Sequence, residues 1–123
     1  MGIVLIIDDS STEREILSGC LRQGGFTVFT ANSGEEALEK LGNGTYQPDL
    51  IVLDVVLPGQ SGFEVCRILK AQTATAPIPV ILCSTKGTDM DKFWGKKQGA
   101  DEYLPKPVDQ EQLLKSATHL TKK

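Results

Sequence analysis

Residues 3–9 read Ile-Val-Leu-Ile-Ile-Asp-Asp, five aliphatic side chains in unbroken succession closed by two adjacent carboxylates. An apolar run of that length describes a strand buried on both faces, as a parallel strand is when helices cover the sheet above and below. The pattern recurs along the chain. Leu50-Ile51-Val52-Leu53 ends in Asp54, residues 79–84 end at Ser84-Thr85, and a short run at 102–104 leads into Lys106-Pro107. Parallel strands deliver their carboxyl ends to one edge of a sheet. Three acids, two hydroxyls and one ammonium are therefore expected at a single rim. Crowded carboxylates repel one another unless a cation or a proton is shared among them. Metal-assisted phosphoryl chemistry is the first reaction class this suggests.

Helical patterns fill the intervals. Ser10-x-x-Glu13 reads as a capping box, followed by Ile16, Leu17, Cys20 and Leu21 at helical spacing until Gly24-Gly25. Residues 26–31 form a second strand. Ser33-x-x-Glu36 caps a second helix with Ala37, Leu38 and Leu41 inside, ended by Gly42-Asn43-Gly44. After the strand at 50–54, Pro58-Gly59-Gln60-Ser61-Gly62 is a long turn into a third helix carried by Phe63, Cys66 and Leu69. The fourth helix, Thr88 to Gln98, is polar, contains Gly95 and stops at Gly99-Ala100. Its adjacent aromatics, Phe93 and Trp94, are expected to divide, one packed inside and one turned toward a partner. Val108 to Leu120 give the last helix, with Leu113, Leu114 and Ala117 inside. Five βα units without repeat or linker imply an α/β fold, a doubly wound parallel sheet with helices on both faces in one domain spanning 1–123.

The bulk numbers agree with one globular domain: 123 residues, 40% hydrophobic and 24% charged. A net charge of −3 without a basic stripe argues against nucleic acid as the main partner. The basic Thr121-Lys122-Lys123 end reads as solvated. Cys20, Cys66 and Cys83 are odd in number and lack a CxxC spacing, so packing and a reducing cytoplasm are expected rather than disulfides or zinc. No apolar run approaches the roughly 18 residues of a membrane span, so a cytoplasmic protein without membrane insertion is expected. The lone His119 reads as solvated and offers neither a metal site nor an internal phosphohistidine donor.

Asp8-Asp9, Asp54-x-x-x-Pro58-x-x-x-Gly62, Ser84 and Lys106-Pro107, in that order across the whole chain, resemble the receiver domain of two-component response regulators, the CheY-like family. The resemblance implies a flavodoxin-like sheet of strand order 2-1-3-4-5 and a single receiver domain with no output domain. Ser84-Thr85-Lys86, residues 91–100 and Tyr103 to Asp109 are further similar to stand-alone receivers of twitching-motility, chemotaxis-like systems, which points to type IV pilus or taxis control. Asp54 would accept a phosphoryl group from the phosphohistidine of a histidine kinase. Mg²⁺ would be held by Asp9, Asp54 and the backbone carbonyl of Val56, with Asp8 orienting a metal-bound water. Lys106 would hold a phosphoryl oxygen, and Ser84 would sense the group. Tyr103 would then turn into the space Ser84 vacates and change the partner preference of the surface formed by helix four, strand five and helix five. The family would also make the Lys106–Pro107 bond cis.

Pro58 and Gly62 are read as shaping the loop that carries Asp54, and Pro107 as holding the backbone after Lys106. Val56 and Lys86 flank the route of an attacking water. Valine cannot hydrogen-bond that water, so slow self-dephosphorylation is expected, while Thr85 could narrow access. Leu57 stands where methionine is usual, a small apolar change. Other classes fit less well. An aspartyl-phosphate phosphatase commonly carries a second acid two residues after its nucleophile, and that place here is Val56. A flavin site needs a phosphate-binding loop after strand one, where Asp8-Asp9 would repel the phosphate. A receiver-fold interaction module that works without phosphorylation remains as the alternative. The chain is expected to catalyse only its own modification, and not to act as an enzyme on an external substrate.

Overall fold

The computed structural model describes residues 2–122, so Lys123 of the basic end lies outside the described residues. Five strands and five helices alternate: β1 (Ile3–Ile7), α1 (Ser11–Gln23), β2 (Thr27–Ala31), α2 (Gly34–Gly42), β3 (Leu50–Asp54), α3 (Gly62–Ala71), β4 (Val80–Ser84), α4 (Asp89–Lys97), β5 (Glu102–Pro105) and α5 (Gln110–Thr121). All pairings are parallel, in the order β2-β1-β3-β4-β5. This is the doubly wound sheet expected from the sequence pattern, in the strand order the family resemblance implies. The register sets Ile7 beside Leu53, Asp54 beside Cys83 and Ser84 beside Pro105, which aligns the carboxyl ends of the three central strands.

The unbroken apolar runs are explained by two cores, one on each face. Val4, Ile6, Leu50, Val52, Ile81 and Cys83 point to one face, with α1 and α5. Leu5, Ile7, Ile51, Leu53, Val80 and Leu82 point to the other, with α2 and α3. The three central strands β1, β3 and β4 have both their odd and their even positions buried, so along them neither parity can be polar, whereas the edge strand β2 exposes Thr27 and Phe29. Burial of this kind is worth about 25 cal/mol for each square ångström of apolar surface removed from water. All three cysteines are buried and free. Burial pushes the Cys83 thiol up to about 12 and Cys66 up to about 11, which suits packing rather than nucleophilic chemistry.

Several local expectations change. The Ser10 and Ser33 hydroxyls do cap α1 and α2 by accepting from the Glu13 and Glu36 amides. The reciprocal half of each box is missing, because Ser10 N–H donates to Asp8 and Glu36 accepts from Asn32 instead. The complete capping box belongs to α4, between Thr88 and Asp91, where polarity alone had hidden it. Ile16 is exposed, since α1 packs through Leu17, Cys20 and Leu21. Phe29, on the edge strand β2, is also exposed and stacks on Tyr46 at 5.1 Å between ring centroids. The expected division of Phe93 and Trp94 fails: both are exposed, because the buried side of α4 is occupied by Gly95.

Candidate functional site

The rim at the carboxyl ends of β1, β3 and β5 gathers charge that the core excludes. Asp8 and Asp54 are buried while Asp9 is exposed. Carboxylate oxygens of all three lie within 4.8 Å of one another. Lys106, carried in from the loop after β5, lays Nζ 2.8 Å from Asp8 Oδ2 and 3.3 Å from Asp54 Oδ2. Its side chain is only 10% exposed, so this is a shielded pair of contacts rather than a surface ion pair. Both oxygens of Asp8 are committed, Oδ2 to Lys106 and Oδ1 to the Ser10 amide at 2.9 Å. Asp54 Oδ1 accepts from the Val56 amide at 3.1 Å.

Burial, then the neighbouring Asp8 charge, outweigh the Val56 amide and Lys106, and the Asp54 carboxyl sits above its ordinary range. Burial works against the Lys106 ammonium too, but its hydrogen bond to Asp8 and the charges of Asp54 and Asp8 raise it. A carboxylate with a raised value binds its proton more tightly in the folded than in the unfolded chain. Stability is then highest in acid and falls as pH climbs from the unfolded value near about 3.9 through the higher folded one. Asp54→Asn removes that loss. Without divalent cations, the variant should melt above the wild type at pH 7, with the advantage shrinking toward pH 4. Equal midpoints at pH 7 would contradict the strain assigned to Asp54.

Three oxygen donors, one of them open to water, suit a hard cation that keeps part of its hydration. The fit is chemical as well as geometric, since a divalent charge offsets a surplus of negative groups that a single ammonium leaves standing. Asp8 and Asp54 each have both oxygens engaged, Asp54 more loosely at 3.1 and 3.3 Å than Asp8 at 2.9 and 2.8 Å, so exposed Asp9 is the most accessible donor.

The remaining predicted residues divide between the site and its flanks. Ser84 is fully buried, and its hydroxyl accepts from the Lys86 amide at 3.1 Å. Tyr103 is buried beside the Ser84 hydroxyl and donates its own hydroxyl to the Lys86 carbonyl; burial raises its phenol. Val56 is 51% exposed, and Thr85 and Lys86 are exposed beside it on the rim. Gly62 is buried, and its amide donates to the Val55 carbonyl at 2.7 Å. Pro58 and Pro107 are exposed, with Lys106–Pro107 cis. Gly59 adopts φ +77, a left-handed backbone that glycine tolerates, and this tightens the turn between Pro58 and Ser61.

Two residues of α1 were missed by sequence reading. Arg14 Nη1 donates to the Asp8 backbone carbonyl at 2.8 Å and so steadies the acidic pair from behind. Glu13, freed from the capping role assigned to it, adds negative charge that favours the Lys106 ammonium. The sequence signal was only that both follow Asp8-Asp9 within one helical turn.

Comparison with known proteins points the same way as the geometry. Residues 4–118 match the response regulator receiver domain family. The chain is 42% identical over 116 residues to protein PilH of Pseudomonas aeruginosa, covering 94% of each. To protein PilG of the same organism it is 37% identical over 111 residues, covering 90% of this chain and 81% of that protein. Among solved structures it resembles the chemotaxis response regulator CheY4 of Vibrio cholerae, with a TM-score of 0.88, 34% identity and 98% of each chain covered.

Proposed function

This chain belongs to the response regulator receiver domain family, and from that membership we propose that it is a phosphorylation switch. Asp54 takes a phosphoryl group from the phosphohistidine of a histidine kinase and passes the signal on by protein contact. The observation that carries this reading is the convergence of Asp8, Asp9, Asp54 and Lys106 at one rim, with Lys106 bridging two carboxylates. In the transfer, an Asp54 oxygen bonds to phosphorus as the nitrogen–phosphorus bond of the donor breaks, an in-line displacement. Lys106 follows the charge, exchanging its Asp54 contact for an oxygen of the incoming group while keeping Asp8 as its anchor. Asp9, Asp54 and the Val56 carbonyl would hold Mg²⁺, with Asp8 orienting a metal-bound water, and the cation would neutralise charge at the transferring group.

Phosphorylation adds nearly two charges and three acceptors. Ser84 reorients from the Lys86 amide toward those acceptors, and Tyr103 reads the change at the same Lys86 backbone. The two residues form a bistable element biased by a local charge event. The surface of α4, β5 and α5 carries the output, in twitching-motility or taxis control; chemotaxis is the role in the name of the Vibrio cholerae neighbour. The cytoplasmic location is part of the same reading; among the described residues no helix is long and apolar enough to cross a membrane.

The test is intact mass after incubation with Mg²⁺ and acetyl phosphate. Wild type should gain one phosphoryl group, and Asp54→Asn should gain none. Labelling of both proteins, or of neither, rejects the assignment. Full labelling in the presence of a chelator would reject the cation alone.

Lifetime provides a second measurement. Val56 lies beside the bond to be hydrolysed and offers an attacking water no hydrogen bond. Val56→Asn should speed decay of the phosphorylated form about tenfold, a barrier lower by about 1.4 kcal/mol. The substitution sits on an exposed side chain, so unchanged decay could not be blamed on misfolding.

A further inference from the structure

The outer edge of the sheet carries no charge. From Gln23 to Gly34 the chain has no acid, no base and no proline, and β2 lies within that stretch at one end of the strand order. Edge strands usually carry charge or proline, because their unpaired backbone groups are a template for another strand. The pleat says which groups face outward. Thr27 N–H donates to the Gly2 carbonyl, and the Ala31 carbonyl accepts from the Asp8 N–H. These positions, with Phe29 between them, therefore turn their backbone toward β1. Val28 and Thr30, one residue out of phase, turn their N–H and C=O groups to the free side. There the Tyr46 hydroxyl donates to the Thr30 carbonyl at 3.4 Å, near the outer limit for a hydrogen bond. Phe29 is 41% exposed beside it.

The space above that edge is open as well. A groove of about 480 Å³ runs between α1 and β2, lined among others by Glu15, Ser18, Gly19, Arg22 and Thr30. Glu15 and Arg22 are exposed there, and a Cβ on Gly19 would meet nothing within 4 Å. We propose that β2 pairs antiparallel with β2 of a second copy of this chain, about a two-fold axis at Phe29, joining two sheets into one. Val28 of each copy then lies opposite Thr30 of the other, and the two exchange both N–H···O bonds. The Thr30 carbonyl gives up its long Tyr46 contact for a backbone amide. Phe29 faces Phe29 of the second copy at a non-hydrogen-bonded position, where side chains come closest and aromatic pairs stabilise a sheet. The same axis sets α1 antiparallel to α1. A crossing at Ser18 and Gly19, the one buried and the other without a side chain, brings Glu15 opposite Arg22 of the second copy, and the symmetry repeats the pair. A foreign strand would find no charge on β2 to select it, whereas this chain supplies both halves of every contact. None of the rim residues takes part, so the association stands apart from the switch reading.

The experiment is sedimentation equilibrium of the full, unphosphorylated chain at concentrations up to about 1 mM, because a single short strand pair supports only a weak complex. Wild type should form a dimer, and the Val28 and Thr30 amides should gain protection from hydrogen exchange as concentration rises. Glu15→Arg and Arg22→Glu should each weaken the dimer about threefold or more, and the two combined in one chain should restore it, since reversing both charges re-forms the pair. Phe29→Lys sets an ammonium against its own copy and should abolish the dimer. Trp94→Ala, on the exposed side of α4, should leave it unchanged. All of these side chains are exposed, and each variant's thermal midpoint is measured to show that it folds. A wild type that stays monomeric at every concentration would overturn the proposal. So would a double reversal as weak as either single variant, or a dimer that survives Phe29→Lys and is lost in Trp94→Ala.

Discussion

Lys106→Met should lower stability by about 3 kcal/mol or more in the absence of divalent cations, because it removes the only ammonium that, among the described residues, contacts two buried carboxylates. Asp8 and Asp54 would then face each other in a shielded site with only the Ser10 and Val56 amides to offset them. For a chain of this size the midpoint should fall by roughly 10 °C. Asp8→Asn placed in the same background should restore part of the loss, since one of the two opposed charges is gone; the non-additivity measures the coupling. Mg²⁺ should also recover stability, by about 2.7 kcal/mol at a hundredfold excess over its dissociation constant. Recovery should be weaker in Asp9→Asn, which removes the most accessible donor. A Lys106→Met protein that melts within about 2 °C of wild type would show that solvent already screens the pair.

Gly62→Ala should be the most damaging small substitution in the molecule. A Cβ at this position would collide with the Asp54 carbonyl oxygen and lie 2.7 Å from Val55 Cα. Both are backbone atoms at the end of a buried central strand, so neither can rotate aside as a side chain would. The amide of Gly62 is also tied to the Val55 carbonyl at 2.7 Å, which holds the loop in place. Overpacking of a core commonly costs about 1–3 kcal/mol, and a clash with fixed backbone belongs at or beyond the top of that range. The same movement would displace Val56, whose amide donates to Asp54 Oδ1. Divalent-cation affinity should therefore fall together with stability. Gly42→Ala is the control, because a Cβ there meets nothing within 4 Å, and it should leave both properties unchanged. Gly62→Ala with wild-type stability and cation affinity would mean that the loop yields, contrary to the constraint argued here.

The fold was legible because burial on both faces leaves an unmistakable trace. No amphipathic strand of a one-sided sheet would read Ile-Val-Leu-Ile-Ile, and three such runs, at β1, β3 and β4, separated by helical periodicity admit few topologies. Local pairings were less legible. Ser10-x-x-Glu13 looks like a closed capping box, yet the nearby Asp8 carboxylate takes the amide that Glu13 would have accepted from. The pattern describes what a segment can do in isolation, and a better-placed competitor from the preceding strand decides otherwise. Helix α4 misled for a related reason. Apolar residues at helical spacing are ordinarily turned inward, but the space between α4 and the sheet is filled by Tyr103 and Leu82, leaving room only for Gly95. Phe93 and Trp94 then have nowhere to go but outward.

What composition and spacing settled is the class of the molecule: which segments are strands, that they run parallel, and that Asp8, Asp9, Asp54, Ser84 and Lys106 sit at strand ends. Those facts follow from residues near one another in the chain, through periodicity and turn chemistry. The 2.8 Å reach of Lys106 to Asp8 links residues 98 positions apart, and no local pattern encodes such a distance. The same is true of the commitment of both Asp8 oxygens, the hold of Arg14 on the Asp8 carbonyl and the outward face of α4. Each depends on how twisted strands and packed helices divide a finite volume. Side chains separated in sequence compete for the same atoms, and the outcome is set only when the whole sheet has closed.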